Sequence, residues 1–352
     1  MSLAYGIDQP VAERLHTGRL QVFDMDGAAA RSLTSTARRL ANRAMQWAVT
    51  RSMRQAVRAD LAGREALLAY VERQRRTHER FDAPILPMME AEAVRVAGPG
   101  VLSLPPAPSE WFAPRESKPR GYVFYVHGGS FVAERSPRIT QLVARFAATA
   151  EAQVFAPSYR LAPEHPCPSA VEDIVAAWGW FRAQYPDEPV VALAESAGAA
   201  ILLAALQQAK ARGLDLPGGI VLLSPWVDLS LQSWSVTAAS LMGTTPYTME
   251  SLALVARFYL NGIPATDPVA SPLFGSFDGF PPMLIHASRG DILYDDAVRL
   301  ADKVRDAGGD LTVRLWAEET HVWERMNTPK AKQSILLAAE FIRRRLDDIA
   351  LN

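Results

Sequence analysis

The stretch "VVALAESAGAA", residues 190–200, decides how the whole chain is read. An apolar run led by β-branched valines stops at Glu195-Ser196, and small residues follow before "ILLAALQQAK" begins a helical pattern. A strand that enters a helix through so tight a turn strains the backbone of the residue at its apex. It also crowds the positions two before and two after, which must be small. Here they are Ala194 and Gly198. The turn sets the Ala197 N–H at a helix start, where unpaired amides and the helix dipole favour a negative oxygen. Serines also begin many ordinary helices as N-caps, so the rest of the chain must decide what Ser196 is for.

Outward from this turn the rhythm is strand then helix. "GYVFYVHGG" precedes "SPRITQLVARFAATA", and "AQVFAPSY" precedes "PSAVEDIVAAWGWFRAQY". After the serine, "GIVLLSP" leads into an insertion at about 228–262 that carries "SLMGTTPYTMESLALVARFYLNG", read as one or two helices standing off the sheet. "PPMLIHAS" then precedes "DDAVRLADKVRDAG", and "LTVRLW" precedes a last helix, "AKQSILLAAEFIRRRL". Near-continuous apolar strands alternating with helices predict an α/β fold, a mostly parallel sheet covered on both faces. A proline-punctuated passage before it carries two edge strands. Residues 1–90 differ in character. Between Arg31 and Arg58 lie seven arginines and no acid, with apolar residues at helical spacing. We therefore expect a helical N-terminal cap over 1–90 and a catalytic domain over 91–352. The arginine face reads first as solvated; a lid approaching an anionic surface and a dimer contact are the other uses open to it.

Composition narrows the partners. The chain has 352 residues, 49% hydrophobic, with a formal net charge of -1, which gives no support for nucleic acid. No window approaches 18 uninterrupted apolar residues, so stable membrane insertion is not expected. The start lacks a secretory pattern, and the single cysteine, Cys167, suits a reducing cytoplasm. Beside Cys167 only His165 is a nearby ligand, too little for a metal site.

A serine hydroxyl needs an imidazole to take its proton, and the imidazole needs a carboxylate to fix its tautomer. In doubly wound enzymes with an elbow serine the chain order is serine, acid, histidine. Beyond Ser196 there are only His286 and His321. His286 lies inside an apolar strand and reads as core, whereas His321 follows the last strand in an irregular stretch. Asp291 sits just beyond "LIHAS", at the carboxyl end of its strand. Asp295 and Asp296 compete with it but read as the first turn of a helix. Upstream, "HGGS", His127 to Ser130, ends a strand with two glycines that let backbone N–H groups approach a substrate carbonyl. His127 precedes the serine and reads as a brace for that loop.

Taken together these motifs resemble the hormone-sensitive-lipase-like carboxylesterases of the α/β-hydrolase fold. "HGGSF" is similar to the HGGG oxyanion motif and "AESAG" to the GDSAG elbow; "SYRLAPEHPCPSAVEDIVAAWGWF", "SPWVDLS", "GDILYDD" and "HVWERM" follow in the family's order. The resemblance spans about residues 90–345 and implies Ser196 as nucleophile, His321 as general acid–base and Asp291 as its orienting carboxylate. It implies an oxyanion hole from Ala197 and amides among Gly128, Gly129 and Ser130. The family favours the latter two; the sequence leaves the choice open. Ala194 replaces the first elbow glycine, and Glu195 stands where aspartate is usual, with its role open.

The implied chemistry is hydrolysis of short- to medium-chain esters through an acyl-enzyme, with no cofactor and no metal. Lactones and acetylated small molecules are alternative substrates for the same residues. A non-catalytic receptor on a hydrolase body is a remote alternative, since all three residues are present. Trp226, Tyr247, Phe258 and Trp47 are the expected walls of an apolar pocket beneath the cap.

Overall fold

Alternating side chains along the strands set the layers. In strand β4 (Tyr122–Val126), Val123 and Tyr125 join one buried cluster while Phe124 and Val126 join another on the opposite face. The computed structural model describes residues 20–25, 35–82, 93–96, 109–115, 117–242 and 245–351. Within them the chain runs β1 (Leu20–Asp24), α1 (Ser35–Leu61), α2 (Arg64–Asp82), β2 (Ala93–Val96), β3 (Glu110–Pro114), β4, α3 (Pro137–Ala150), β5 (Gln153–Ala156), α4 (Ser169–Gln184) and β6 (Val190–Glu195). It continues as α5 (Ala197–Ala211), β7 (Ile220–Leu223), α6 (Trp234–Met242), α7 (Met249–Leu260), β8 (Met283–Ser288), α8 (Tyr294–Asp306), β9 (Leu311–Trp316) and α9 (Pro329–Ala350).

The described strands form one nine-stranded sheet in the order β1-β9-β8-β7-β6-β4-β5-β3-β2. Only the β2–β3 and β3–β5 pairings are antiparallel. The expected α/β architecture is therefore present. Helices cover both faces, with α3 and α9 packed against each other on one side and α4 and α5 on the other. Chain direction across the sheet reverses between β5 and β6, on either side of β4, so a crevice opens at the carboxyl ends of β4 and β6. All six residues of β6 are buried, and Ala194 lies in register between Val126 and Leu222.

One departure concerns residues 1–90. The segment is not wholly helical: Leu20–Asp24 forms a strand parallel to β9, from Leu20↔Leu311 to Asp24↔Leu315. Five residues are too few for a periodic signal, and the partner lies almost 300 positions away, so nothing local announces the pairing. Helices α1 and α2 form, and among the described residues they share one small cluster. Ala56, Leu67, Tyr70 and Val71 bury against Leu254 of α7, with Met53, Ala59 and Phe258 around them. The insertion supplies helices α6 and α7. Among the described residues no helix is long and apolar enough to cross a membrane.

Candidate active site

At the carboxyl end of β6 the chain turns through Ser196 at φ 51, ψ -130, a region that costs a non-glycine residue strain. The surroundings hold it there. Its N–H donates to the Leu223 carbonyl at 3.0 Å, and its carbonyl accepts from the Trp226 and Ala199 amides. Gly198 is needed because a Cβ would strike the Val126 and His127 carbonyls. Ala194, by contrast, is accommodated within the sheet with its methyl fully buried.

His321 lies 2.9 Å from the serine, Nε2 to Oγ. Its Nδ1 is 3.0 and 3.1 Å from the two Asp291 oxygens. Ser196 and Asp291 are 5% and 2% exposed, so the proton path is shielded from bulk water. Burial pushes the Asp291 carboxyl upward, but the adjacent His321, the Leu293 amide and the Ser224 hydroxyl outweigh it and hold the group below its ordinary value. An ionised Asp291 accepts the Nδ1 proton, which leaves Nε2 as an acceptor toward the serine.

The structure brings some of the other expected residues here and not others. His286 is fully buried, 2.7 Å from Ser334 through Nδ1, with its basicity suppressed to about 3 by burial. Asp295 and Asp296 accept from amides at the base of the insertion: Ser235 to Asp295, and Val227 and Asp228 to Asp296. Tyr247 stands edge-on to the His321 ring at 5.5 Å. Its backbone is fixed by the start of α7, where Thr248 and Ser251 cap each other. Trp226 is buried behind the serine, its ring 5.3 Å from that of Phe131.

Three expectations need correction. Trp47 is 66% exposed with the Arg51 guanidinium over its ring, so it is no pocket wall. Phe258 packs among the cap helices, in the small cluster with Leu254, and does not face Ser196 through any described contact. The Gly128 amide is committed to Glu195 Oε1 at 3.2 Å and is taken from the oxyanion set. The Gly129, Ser130 and Ala197 amides have no protein acceptor among the described residues. Positive φ at Gly129 (131°), Ser130 (53°) and Phe131 (66°) turns this loop, and at Gly129 a Cβ would also strike Ala133.

Residues missed in the sequence complete the frame. Ser224, at φ 45, receives the Val322 amide on its hydroxyl at 3.2 Å and also bonds Asp291, so it links the acid to the histidine loop. Tyr159 donates to the His127 carbonyl at 2.7 Å and stacks on the His127 ring at 4.3 Å. "SP" at the end of β7 was the available signal for Ser224. Among the described residues no group of three His, Cys, Asp or Glu converges as a metal site.

Known proteins share this arrangement of chain. A profile of the alpha/beta hydrolase fold matches residues 123–325. An acetyl-hydrolase of Streptomyces hygroscopicus is 35% identical over 238 residues, 67% of this chain and 79% of that protein. An esterase of Acinetobacter venetianus is 30% identical, over 62% of this chain and 73% of its own. A solved esterase of the bacterial hormone-sensitive lipase family superposes with a TM-score of 0.71 at 29% identity, covering 85% of this chain and 98% of that one. The chain thus belongs to the α/β-hydrolase fold family, within its hormone-sensitive-lipase-like carboxylesterase branch.

Proposed function

We propose that Ser196, His321 and Asp291 are nucleophile, general acid–base and orienting carboxylate in the hydrolysis of short- to medium-chain carboxylic esters. The chain is a carboxylic ester hydrolase, as its esterase relatives indicate. The observation that carries the assignment of roles is the unbroken contact from Ser196 Oγ to His321 Nε2 to the Asp291 carboxylate.

In the proposed cycle His321 Nε2 takes the serine proton as Oγ bonds to the ester carbonyl carbon. Charge moves to the carbonyl oxygen, where the Gly129, Ser130 and Ala197 amides await it. The imidazolium then returns its proton to the departing alcohol oxygen as the C–O bond breaks. Water, deprotonated by the same nitrogen, attacks the acyl-enzyme; collapse releases the acid and restores the serine. Each half uses one proton acceptor and one anion site, so no redox partner is required.

Phe131, Trp226 and Tyr259 form a buried aromatic cluster, in which Phe131 stacks on Tyr259 at 4.0 Å. A solved relative, EstE5, at 29% identity and a TM-score of 0.71, was soaked with p-nitrophenyl butyrate. The acetyl-hydrolase relative favours a second reading, in which the ester is an acetyl group on a small molecule.

A panel of p-nitrophenyl esters of rising chain length, with lactones and acetylated small molecules alongside, tests these readings. Activity highest on acetate to hexanoate esters supports the first; a preference for very long chains sinks it. A fluorophosphonate probe should label the wild type and not Ser196→Ala. Labelling that survives the substitution would remove Ser196 from its role, and a wild type that neither labels nor turns over would favour the receptor reading.

A further inference from the structure

Glu195 is a buried carboxylate that the acyl-transfer cycle does not use. It is the last residue of β6, adjacent to the nucleophile and fully buried. An ion in such a place is costly to desolvate unless it is paired and hydrogen-bonded. Here both oxygens are engaged. Oε1 accepts from the Tyr125 hydroxyl at 2.9 Å and from the Gly128 amide at 3.2 Å, while Oε2 accepts from Arg325 Nε at 2.8 Å. Burial works against its ionisation, yet Arg325 and the two other donors overcome it and keep the group below its ordinary value.

The three donors come from three parts of the site. Tyr125 is in β4, Gly128 begins the oxyanion loop, and Arg325 ends the short helical turn Trp323–Arg325 that follows His321. The guanidinium also lies against the loop itself: a Cβ on Gly128 would meet Arg325 Nη2 at 3.2 Å and Ser196 Cβ at 2.9 Å. The bond to the Gly128 amide anchors the loop at its start, and the next two peptides carry the Gly129 and Ser130 N–H groups.

We infer that the Glu195–Arg325 pair is a positioning device that locks the oxyanion loop and the histidine loop to the nucleophile strand as one unit. Neither residue touches the reacting atoms; both act through the amides and the imidazole that do. Tyr125, His127, Tyr159, Tyr247 and Glu324 are the titratable groups facing the pair.

This inference rests on the serine-esterase reading, and the test separates the two. Turnover of p-nitrophenyl acetate is measured per active site, titrated with a fluorophosphonate so that misfolded protein does not count. A wild type without turnover refutes the esterase reading itself. With an active wild type, Glu195→Gln should lower kcat by about tenfold to hundredfold, because donors misplaced by a fraction of an ångström lose transition-state contact, with KM within about twofold. Glu195→Asp should fall between the two, and Arg325→Lys should retain more kcat than Arg325→Met. The double variant Glu195→Gln/Arg325→Met should be no slower than the worse single, since both break one device. Unchanged kcat per titrated site in Glu195→Gln, a loss carried by KM, or single losses that multiply in the double variant would each overturn the inference.

Discussion

The sheet body of this molecule and its N-terminal helices α1 and α2 are held in place by different means. In the body, β6 and β7 bury every residue, and the clusters on both sheet faces are continuous from β4 to β8. The insertion helices α6 and α7 send Val236, Ala239, Leu252, Ala256 and Tyr259 into the body's own core, whereas α1 and α2 share with Leu254 a cluster of five buried side chains among the described residues, and discrete polar contacts add to their attachment. Arg75 of α2 grips both oxygens of Glu164, at 2.7 and 3.1 Å, and reaches the Val132 carbonyl just beyond the oxyanion loop. Gln46 of α1 donates to the Ser240 and Thr245 carbonyls of the insertion. Such contacts constrain geometry but stabilise less than a packed core. A rigid body suits chemistry that depends on tenths of an ångström. Helices held by a small cluster and a few polar contacts have more freedom to move than a packed core.

The sharpest way to break this comparison is to perturb the body's chemistry alone. Asp291→Asn keeps the shape and loses the charge, freeing His321 to adopt the wrong tautomer. We expect kcat to fall about 10³- to 10⁴-fold. A loss below about tenfold would mean that another group orients the imidazole.

Arg75→Met addresses the cap. It should raise KM for bulky esters roughly three- to tenfold while kcat on p-nitrophenyl acetate moves less than about twofold, since binding and not the chemical step is affected. If kcat falls as far as KM rises, the cap is part of the catalytic frame and the division fails.

A smaller effect sharpens the picture within the body. Burial lifts Glu324 to about 8 from 4.5 and Asp296 to about 7 from 3.8. Groups raised in the folded state give stability that is complete below their unfolded values and is lost as pH climbs through the folded ones. The melting temperature should therefore decline between about pH 5 and pH 8. Asp291 and Glu195, both lowered, act only at more acidic pH. Glu324→Gln keeps an acceptor for the Ser334 hydroxyl, 2.7 Å from Oε1, and should flatten part of that decline. Thermal melts across the range decide it; identical slopes would exclude Glu324 as a source.

Legibility followed the same division. The elbow stood out because a strand, a serine and small flanking residues form one local pattern. His321 was found because few histidines follow Ser196, and Asp291 because strand ends face the crevice. Ser224, Tyr125 and Arg325 were missed since their value arises only when β4, β7 and the histidine loop meet. Trp47 and Phe258 were misplaced for a related reason. An apolar residue on an amphipathic helix looks the same in sequence whether it faces a pocket, another helix or solvent. Glu195 lay in plain view, but its partners did not.

Strand β1 carries a consequence for how the protein can be handled. It completes the ladder along β9, with the Met25 amide reaching the Leu315 carbonyl, and Met25 packs beside Trp316 and Trp323 under the histidine loop. Without it, β9 would present a bare row of amides and carbonyls to other molecules, an invitation to edge-to-edge aggregation. Trimming the N-terminus to the cap helices, which an all-helical reading would suggest as harmless, thus removes a guard from the sheet and a prop from the loop that carries the base.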